Sequence, residues 1–295
     1  MPLRDDPVAW RRDFPALETP VPGGRLVYLD SASTSLKPRA VIDAVTRVFT
    51  HQAGNVHRGV HAMSEAATEA FDTARDDVAR FIGARPDEIV LTSGTTAALN
   101  LVAHTWARAH VGPGDAVIAT ALEHHSNLVP WQVLCAERGA TLRIAPIDDA
   151  GRIDLAALAA LLDDRVKLVA VSQLSNVVGT IAPIAQIATL AHAAGAILVV
   201  DGAQAIAHMP VDVAALGCDF YAFSGHKLFA PPGTGVLWGR RSLLAAMQAW
   251  QHGGEMVASV DYERARLREA PHRFEAGTPN IAGVIGLGAA IRYLA

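Results

Sequence analysis

The sequence predicts an α/β fold: a three-layer sandwich with a mostly parallel central sheet and helices on both faces. Short β-branched or apolar runs at Glu88 to Thr92, Ala116 to Thr120, Leu142 to Ala145, Val166 to Val171 and Ile197 to Asp201 read as buried strands. Helical patterns alternate with them at Thr96 to Arg108, Trp131 to Arg138, Leu155 to Leu162 and Ile184 to Ala194. Strands separated by helices return in the same direction, so the sheet is parallel and covered on both faces. At 295 residues, 51% hydrophobic and 18% charged, the chain is long enough for one large core or two domains.

Taken in order, residues 1–24 form a charged, proline-containing N-terminal segment. Pro20, Pro22, Gly23 and Gly24 read as a turn before the first strand. Residues 25–295 form the large domain. Two helices, Ala40 to Gln52 and Ser64 to Ile82, precede the sheet strands, and Ile281 to Leu294 reads as a last helix. That helix carries no Gly or Pro stop signal, so the chain is expected to be cut from something longer. Arg11-Arg12 is followed by Asp13-Phe14-Pro15 rather than an apolar run, which argues against a targeting segment.

Composition excludes several function classes. The balance of 25 basic and 29 acidic residues, −4, gives no electrostatic reason to expect nucleic acid as a partner. Cys135 and Cys218 lie far apart without CxxC spacing, so neither a disulfide framework nor a zinc site is indicated, and a reducing cytoplasm fits best. The stretch from Leu168 to Val200 lacks Asp, Glu, Lys and Arg, which raises a membrane span as an alternative. Gln173, Asn176, Gly179, Pro183, Gln186 and His192 instead divide it into strand, loop, helix and strand lengths.

Ligands in such sheets sit beyond the carboxyl ends of the strands, and the chemistry-bearing motifs fall there. Ser224-Gly225-His226-Lys227 follows the apolar run Phe220 to Phe223 and precedes Pro231 to Gly235, a tight glycine-containing loop. A lysine so placed can form a Schiff base, although a lone lysine after a strand is commonly a solvated surface residue. Pyridoxal 5′-phosphate needs such a lysine, groups for its phosphate and a carboxylate facing its pyridine nitrogen. Ser93-Gly94-Thr95-Thr96, at a strand-to-helix turn, is a phosphate cradle by position; an ordinary N-cap is the other reading. Asp201, ending a buried strand in Asp201-Gly202-Ala203-Gln204, suits the pyridine nitrogen or a helix N-cap, with Gln204 able to reach the ring's phenolic oxygen.

Further positions extend the set. Ser224 and His226 can donate to the phosphate that Thr95 or Thr96 contacts. In Glu123-His124-His125-Ser126-Asn127, adjacent side chains point to opposite sides, so only one histidine need enter a pocket, where it could cover the ring and move protons. A metal pair is the rival, but a third ligand at suitable spacing is missing. Asn176 suits a substrate carboxylate, the ring oxygen or a plain turn. His57 and His61 have helical i, i+4 spacing and read as a polar lining, a metal pair or a surface face. Cys135 and Cys218 both read as structural, because reactive thiolates need an exposed electropositive setting.

Together these residues resemble the fold-type I, class V aminotransferase superfamily, most closely its group II cysteine desulfurase and selenocysteine lyase branch, which feeds iron–sulfur assembly. Tyr28-Leu29-Asp30, Asn55-Val56-His57-Arg58-Gly59, Gly94-Thr95-Thr96, Glu123-His124-His125, Ser175-Asn176, Asp201 to Gln204, Ser224 to Lys227 and Phe274 to Asn280 fall in family order over nearly the whole chain. The resemblance implies that Lys227 carries the cofactor as a Schiff base, Asp201 pairs with the pyridine nitrogen, Gln204 contacts the phenolic oxygen and His124 stacks on the ring. It implies that Thr95, Thr96, Ser224 and His226 hold the phosphate and that Ala32 and Asn176 face the substrate. Thr278 matches a residue reaching the partner subunit's phosphate in a homodimer.

The implied activity of the full-length enzyme is removal of sulfur from L-cysteine, giving L-alanine and an enzyme persulfide, in the cytoplasm, with a possible sulfur-acceptor protein. L-Selenocysteine is an alternative substrate. An epimerase, a carbon–sulfur lyase, an aminotransferase or a catalytically incompetent cofactor-binding fragment are alternative readings. Departures from the family pattern are Ser31-Ala32-Ser33, Ser93 and Gln173. Family members continue for roughly another hundred residues, a small C-terminal domain with the sulfur-accepting cysteine and a carboxylate-binding arginine, so that domain is expected to be missing here.

Overall fold

The computed structural model describes residues 7–295; the first six residues of the expected N-terminal segment lie outside the described residues. Among the described residues, seven strands form the central sheet: β1 (Ile89–Thr92), β2 (Ala116–Thr120), β3 (Thr141–Ala145), β4 (Val166–Ser172), β5 (Ile197–Asp201), β6 (Phe220–Ser224) and β7 (Gly235–Gly239). Their spatial order is β1-β7-β6-β5-β4-β2-β3. The run from β6 to β3 is parallel, and β7 alone is reversed, pairing antiparallel with both β1 and β6.

Strand periodicity divides the core into two layers. Ile118, Val169, Val171, Leu198, Val200, Tyr221 and Phe223 point to one face and pack with helices Leu155–Leu161, Ile184–Ala193 and Ile281–Leu294. Their strand neighbours Val117, Leu168, Ala170, Val199, Phe220 and Ala222 point the other way, against helices Thr95–Val102 and Val129–Arg138. The result is the expected three-layer sandwich. The uncharged stretch from Leu168 to Val200 resolves into β4, a loop, a ten-residue helix and β5. No helix among the described residues is long and apolar enough to cross a membrane.

Three expectations need correction. No strand follows the turn at Val21–Gly24: residues 25–30 take no regular structure, Leu29 is 92% exposed, and the chain instead ties to itself through Tyr28 Oη donating to Thr34 O at 2.6 Å. His57 and His61 do not share a helix. His57 sits in a turn at φ 62° with Nε2 3.0 Å from Asp72, while His61 caps helix Ala62–Phe81 by accepting from Ser64 N–H. The pattern Thr96 to Arg108 is helical but not uniform, since Ala103–Ala107 widens into a π turn.

Several elements were not anticipated, among them the short helices Ala205–His208, Val213–Leu216 and Arg241–Ala246. β7 is a five-residue run bounded by Gly235 and Gly239, a readable signal. The hairpin β8 (Val257–Val260) and β9 (Ala265–Leu267) is short and largely exposed, so no buried apolar run announced it.

Candidate active site

Thr92, Thr120, Ser172, Asp201 and Ser224 are each the last residue of a strand, and all five strands point the same way. Parallel pairing therefore places five polar residues along one edge of the sheet, where the following loops turn into helices. A cavity of about 480 Å³ lies there. Ten of the residues singled out from the sequence line it: Ala32, Thr95, Thr96, His124, Asn176, Asp201, Gln204, Ser224, His226 and Lys227. Thr278 does not; it is exposed, on the segment that leads into helix Ile281–Leu294.

The floor is set by close backbone approach. Gly94, at φ 152°, begins helix Thr95–Val102, and a Cβ on Gly235 of β7 would lie 2.4 Å from Gly94 Cα. Only two glycines allow that crossing. Ser224 Oγ accepts the Thr95 N–H and meets Thr95 Oγ1, both at 2.8 Å, so one of the helix-start donors is already used within the protein. The hydroxyl of Thr96 meets Ser126 Oγ at 2.8 Å. Hydroxyls, the helix start and its dipole make this side of the cavity favourable to an anion.

Asp201 ends β5 and Lys227 lies in the turn Gly225–Lys227 that follows neighbouring β6, with Asp201 paired to Ala222 in the β5–β6 register. Asp201 is 5% exposed and accepts the Ala203 N–H on Oδ1 at 2.9 Å. Its other oxygen has no hydrogen-bond partner among the described residues. Burial pushes its carboxyl above the ordinary range, opposed by the Ala203 N–H and the charges of Lys227 and His124. Burial also lowers the Lys227 ammonium, with Asp201 acting against it. His226 is lowered by burial and then by Lys227 and Lys37.

The two adjacent histidines part as backbone alternation requires. His124 lines this cavity, whereas His125 lines a separate, mostly apolar pocket. His124 Nδ1 accepts the Ser126 N–H at 3.1 Å, which places the proton of the neutral ring on Nε2. Gln204 Nε2 donates to Ala32 O at 2.8 Å, holding residues 30–33 over the cavity. Gln173, buried beneath, accepts from Tyr221 Oη at 2.6 Å.

Sequence reasoning passed over two contributors. Glu123 accepts from Thr120, Asn127 and Ser172, and burial pushes its carboxyl up to about 7 against those hydrogen bonds. A glutamate three residues past the end of a buried strand was the available signal. The segment Thr34 to Lys37 converges on the His226 carbonyl, a contact across the whole chain that no local pattern announces. Neither cysteine lines the cavity. Burial raises the Cys135 thiol to about 11 and the Cys218 thiol to about 12, as expected of structural thiols. Among the described residues no group of three His, Cys, Asp or Glu is placed to hold a metal ion.

The family pattern of class V aminotransferases matches residues 27–295. The chain belongs to that family. A cysteine desulfurase of Dickeya dadantii (strain 3937) is 51% identical over 286 residues, covering 96% of this chain and 69% of the relative. A probable cysteine desulfurase of Mycolicibacterium paratuberculosis is 48% identical over 98% of this chain but only 42% of its own length. Among solved structures, a cysteine desulfurase from Thermococcus onnurineus NA1 superposes with a TM-score of 0.94 at 40% identity, over 100% of this chain and 72% of that one. One from Escherichia coli gives 0.90 at 44% identity, over 98% and 71%.

Class V aminotransferases use pyridoxal 5′-phosphate, and the residues present fit it. A buried carboxylate with one unpartnered oxygen matches a protonated ring nitrogen. A glycine cradle with hydroxyls at a helix start matches a phosphate, and Lys227, in the turn after β6, which lies between β1 and β5 in the sheet, lines the same cavity.

Proposed function

We propose that the chain carries the cofactor-binding domain, residues 25–295, of a pyridoxal 5′-phosphate-dependent cysteine desulfurase acting on L-cysteine, or on L-selenocysteine by the same chemistry. The observation that carries this reading is that Asp201, ending β5, and Lys227, in the turn after the neighbouring parallel strand β6, line one cavity with the Thr95–Thr96 cradle. The named activity of relatives at about half identity supports the choice of substrate.

In this reading Asp201 keeps a proton on the ring nitrogen, because the ion pair relieves its own burial. Thr95, Thr96, Ser224 and His226 hold the phosphate, and Gln204 faces the phenolic oxygen. His124 covers the ring, with Nε2 as its donor. Ala32 and Asn176 face the substrate. The bound cofactor supplies an electron sink for negative charge developing on the substrate carbon. Lys227 Nζ, whose hold on its proton burial weakens, takes and returns protons there.

The net reaction joins L-cysteine and a thiol to give L-alanine and a persulfide: the carbon–sulfur bond breaks, a sulfur–sulfur bond forms, and the carbon gains hydrogen. Cys135 and Cys218 are too buried and too basic to be that thiol. In a cytoplasmic homodimer Thr278 reaches the second copy's phosphate, and a sulfur-acceptor protein takes the product sulfur.

The test is reduction with borohydride after incubation with pyridoxal 5′-phosphate. Mass spectrometry is expected to find the reduced adduct on Lys227, and L-cysteine with an added thiol is expected to yield alanine and sulfide. Protein that takes up no cofactor would overturn the reading; keto-acid formation without sulfide would move it to another reaction of the family.

A further inference from the structure

Glu123 lies directly before His124, and its carboxylate gathers donors from three separate segments. Oε1 accepts from Thr120 Oγ1 at the end of β2 (2.6 Å) and from the Ser172 N–H at the end of β4 (3.1 Å). Oε2 accepts from Asn127 Nδ2 in the turn His125–Asn127 (2.5 Å) and from Ser172 Oγ (2.7 Å). Each oxygen therefore ties β4 to the segment that carries His124.

The tie is anchored at both ends. Asn127 is fully buried, and its Oδ1 accepts from Nε1 of Trp131, fully buried in the core, at 3.2 Å. Ser172 is paired with Asp201 in the β4–β5 register, and the next residue, Gln173, donates its N–H to Asp201 O at 2.9 Å. A continuous path runs from the His124 turn through Glu123 and Ser172 to Asp201. β4 lies between β2 and β5 in the sheet, so this path crosses the strand that separates the two.

The residue type follows from the donors. Two of the four, the Ser172 N–H and the Asn127 amide, can only donate, and an ionised carboxylate accepts all four at once. A glutamine in the same place would turn its own NH₂ toward donors.

We propose that Glu123 is a positioning residue: it touches none of the cavity's ligand, but holds the His124 turn and the Ser172–Asp201 strand ends at one fixed separation. The inference rests on the proposed function, in which a ring lies between His124 and Asp201. With Glu123 in place, the ring-facing histidine and the nitrogen-facing carboxylate are set by one group outside the cofactor's contacts.

The test compares wild type with Glu123→Gln and with Ser172→Ala, which removes only the hydroxyl partner. In cofactor-free protein, the amides of Asn127, Leu128 and Ser172 are expected to exchange about tenfold faster or more in Glu123→Gln, and to a lesser degree in Ser172→Ala, while β3 is unaffected. With pyridoxal 5′-phosphate, Glu123→Gln is expected to bind about tenfold more weakly and to shift the visible absorbance band. Faster exchange with an unchanged band and affinity would overturn the positioning role, leaving a structural tie. Unchanged exchange would overturn the tie itself. Should Glu123→Gln fail to fold, Ser172→Ala is judged by the same criteria. Wild-type protein that binds no cofactor defeats the proposed function instead, and the exchange comparison still reads the tie.

Discussion

The ammonium of Lys37 donates to the backbone carbonyl of His226 at 2.8 Å, joining residues 189 apart in the chain. Ser35 reaches the same carbonyl through its N–H at 3.1 Å and its hydroxyl at 2.9 Å, and Lys37 also donates to Ser35 O at 2.5 Å. The peptide that precedes Lys227 is thereby pinned from the far end of the sequence. Burial lowers Lys37 to about 8. Between that value and the ordinary 10.5 the unfolded chain binds more protons than the folded one, so this group makes stability rise with pH over that window. Lys37→Met is expected to flatten the rise, and near neutrality its loss of hydrogen bonds, roughly 1 kcal/mol, is offset by relief of the buried ammonium. Thermal unfolding from pH 7 to pH 10 checks both; an unchanged slope would count against the pinning.

Asp201 is buried for a partner that the protein itself supplies only in part. Asp201→Asn is expected to stabilise the cofactor-free protein by about 1 kcal/mol, since a neutral amide pays less for burial, and to weaken pyridoxal 5′-phosphate binding about 10- to 100-fold. Melting curves with and without the cofactor separate the two effects, whose opposite signs distinguish a ligand-directed carboxylate from a structural one.

Arg75 and Glu275 form a buried two-pronged ion pair at 2.8 Å, and Glu275 also accepts the Leu91 N–H at 2.8 Å. Burial pushes the Glu275 carboxyl up, but Arg75, His272 and the Leu91 N–H outweigh it and hold it at about 2. Its folded value lies below the unfolded 4.5, so the contribution is complete above pH 4.5 and lost as pH falls toward 2. Glu275→Gln is expected to cost about 3 kcal/mol at pH 7 and to remove most of that acid sensitivity. Denaturant melts at pH 7 and pH 3 measure it.

Gly202 has no room for a side chain: a Cβ would stand 2.1 Å from Tyr221 Cζ and 2.2 Å from its hydroxyl oxygen. Gly202→Ala is therefore expected to destabilise by about 2–3 kcal/mol and to displace Asp201, its neighbour in sequence. Tyr221→Phe should cost less, about 1–2 kcal/mol, because it only strips Gln173 of its 2.6 Å donor. Equal effects of the two changes would contradict the packing argument.

The strand-helix alternation and the residues at strand ends were legible because both are local. A buried parallel strand must be an apolar run, and its last residue must face the edge where ligands bind; Asp201 and Ser224 were readable on those grounds. The strand expected after Gly24 failed for a matching reason. Leu26 to Leu29 are an apolar run that suits a strand, but no strand among the described residues pairs with them, and Leu29 stays exposed.

By itself the sequence determined the three-layer α/β class, the parallel strand ends that meet at one edge, and ten of the residues that line the cavity. These follow from period, burial and residue chemistry, which act over a few neighbouring positions. Only the tertiary structure decided that β7 runs backwards between β1 and β6 and that Glu123 binds β4 rather than solvent. It also decided that Lys37 reaches His226 across the chain. Such contacts join residues far apart in sequence, and their energy is realised only once the sheet has fixed both ends.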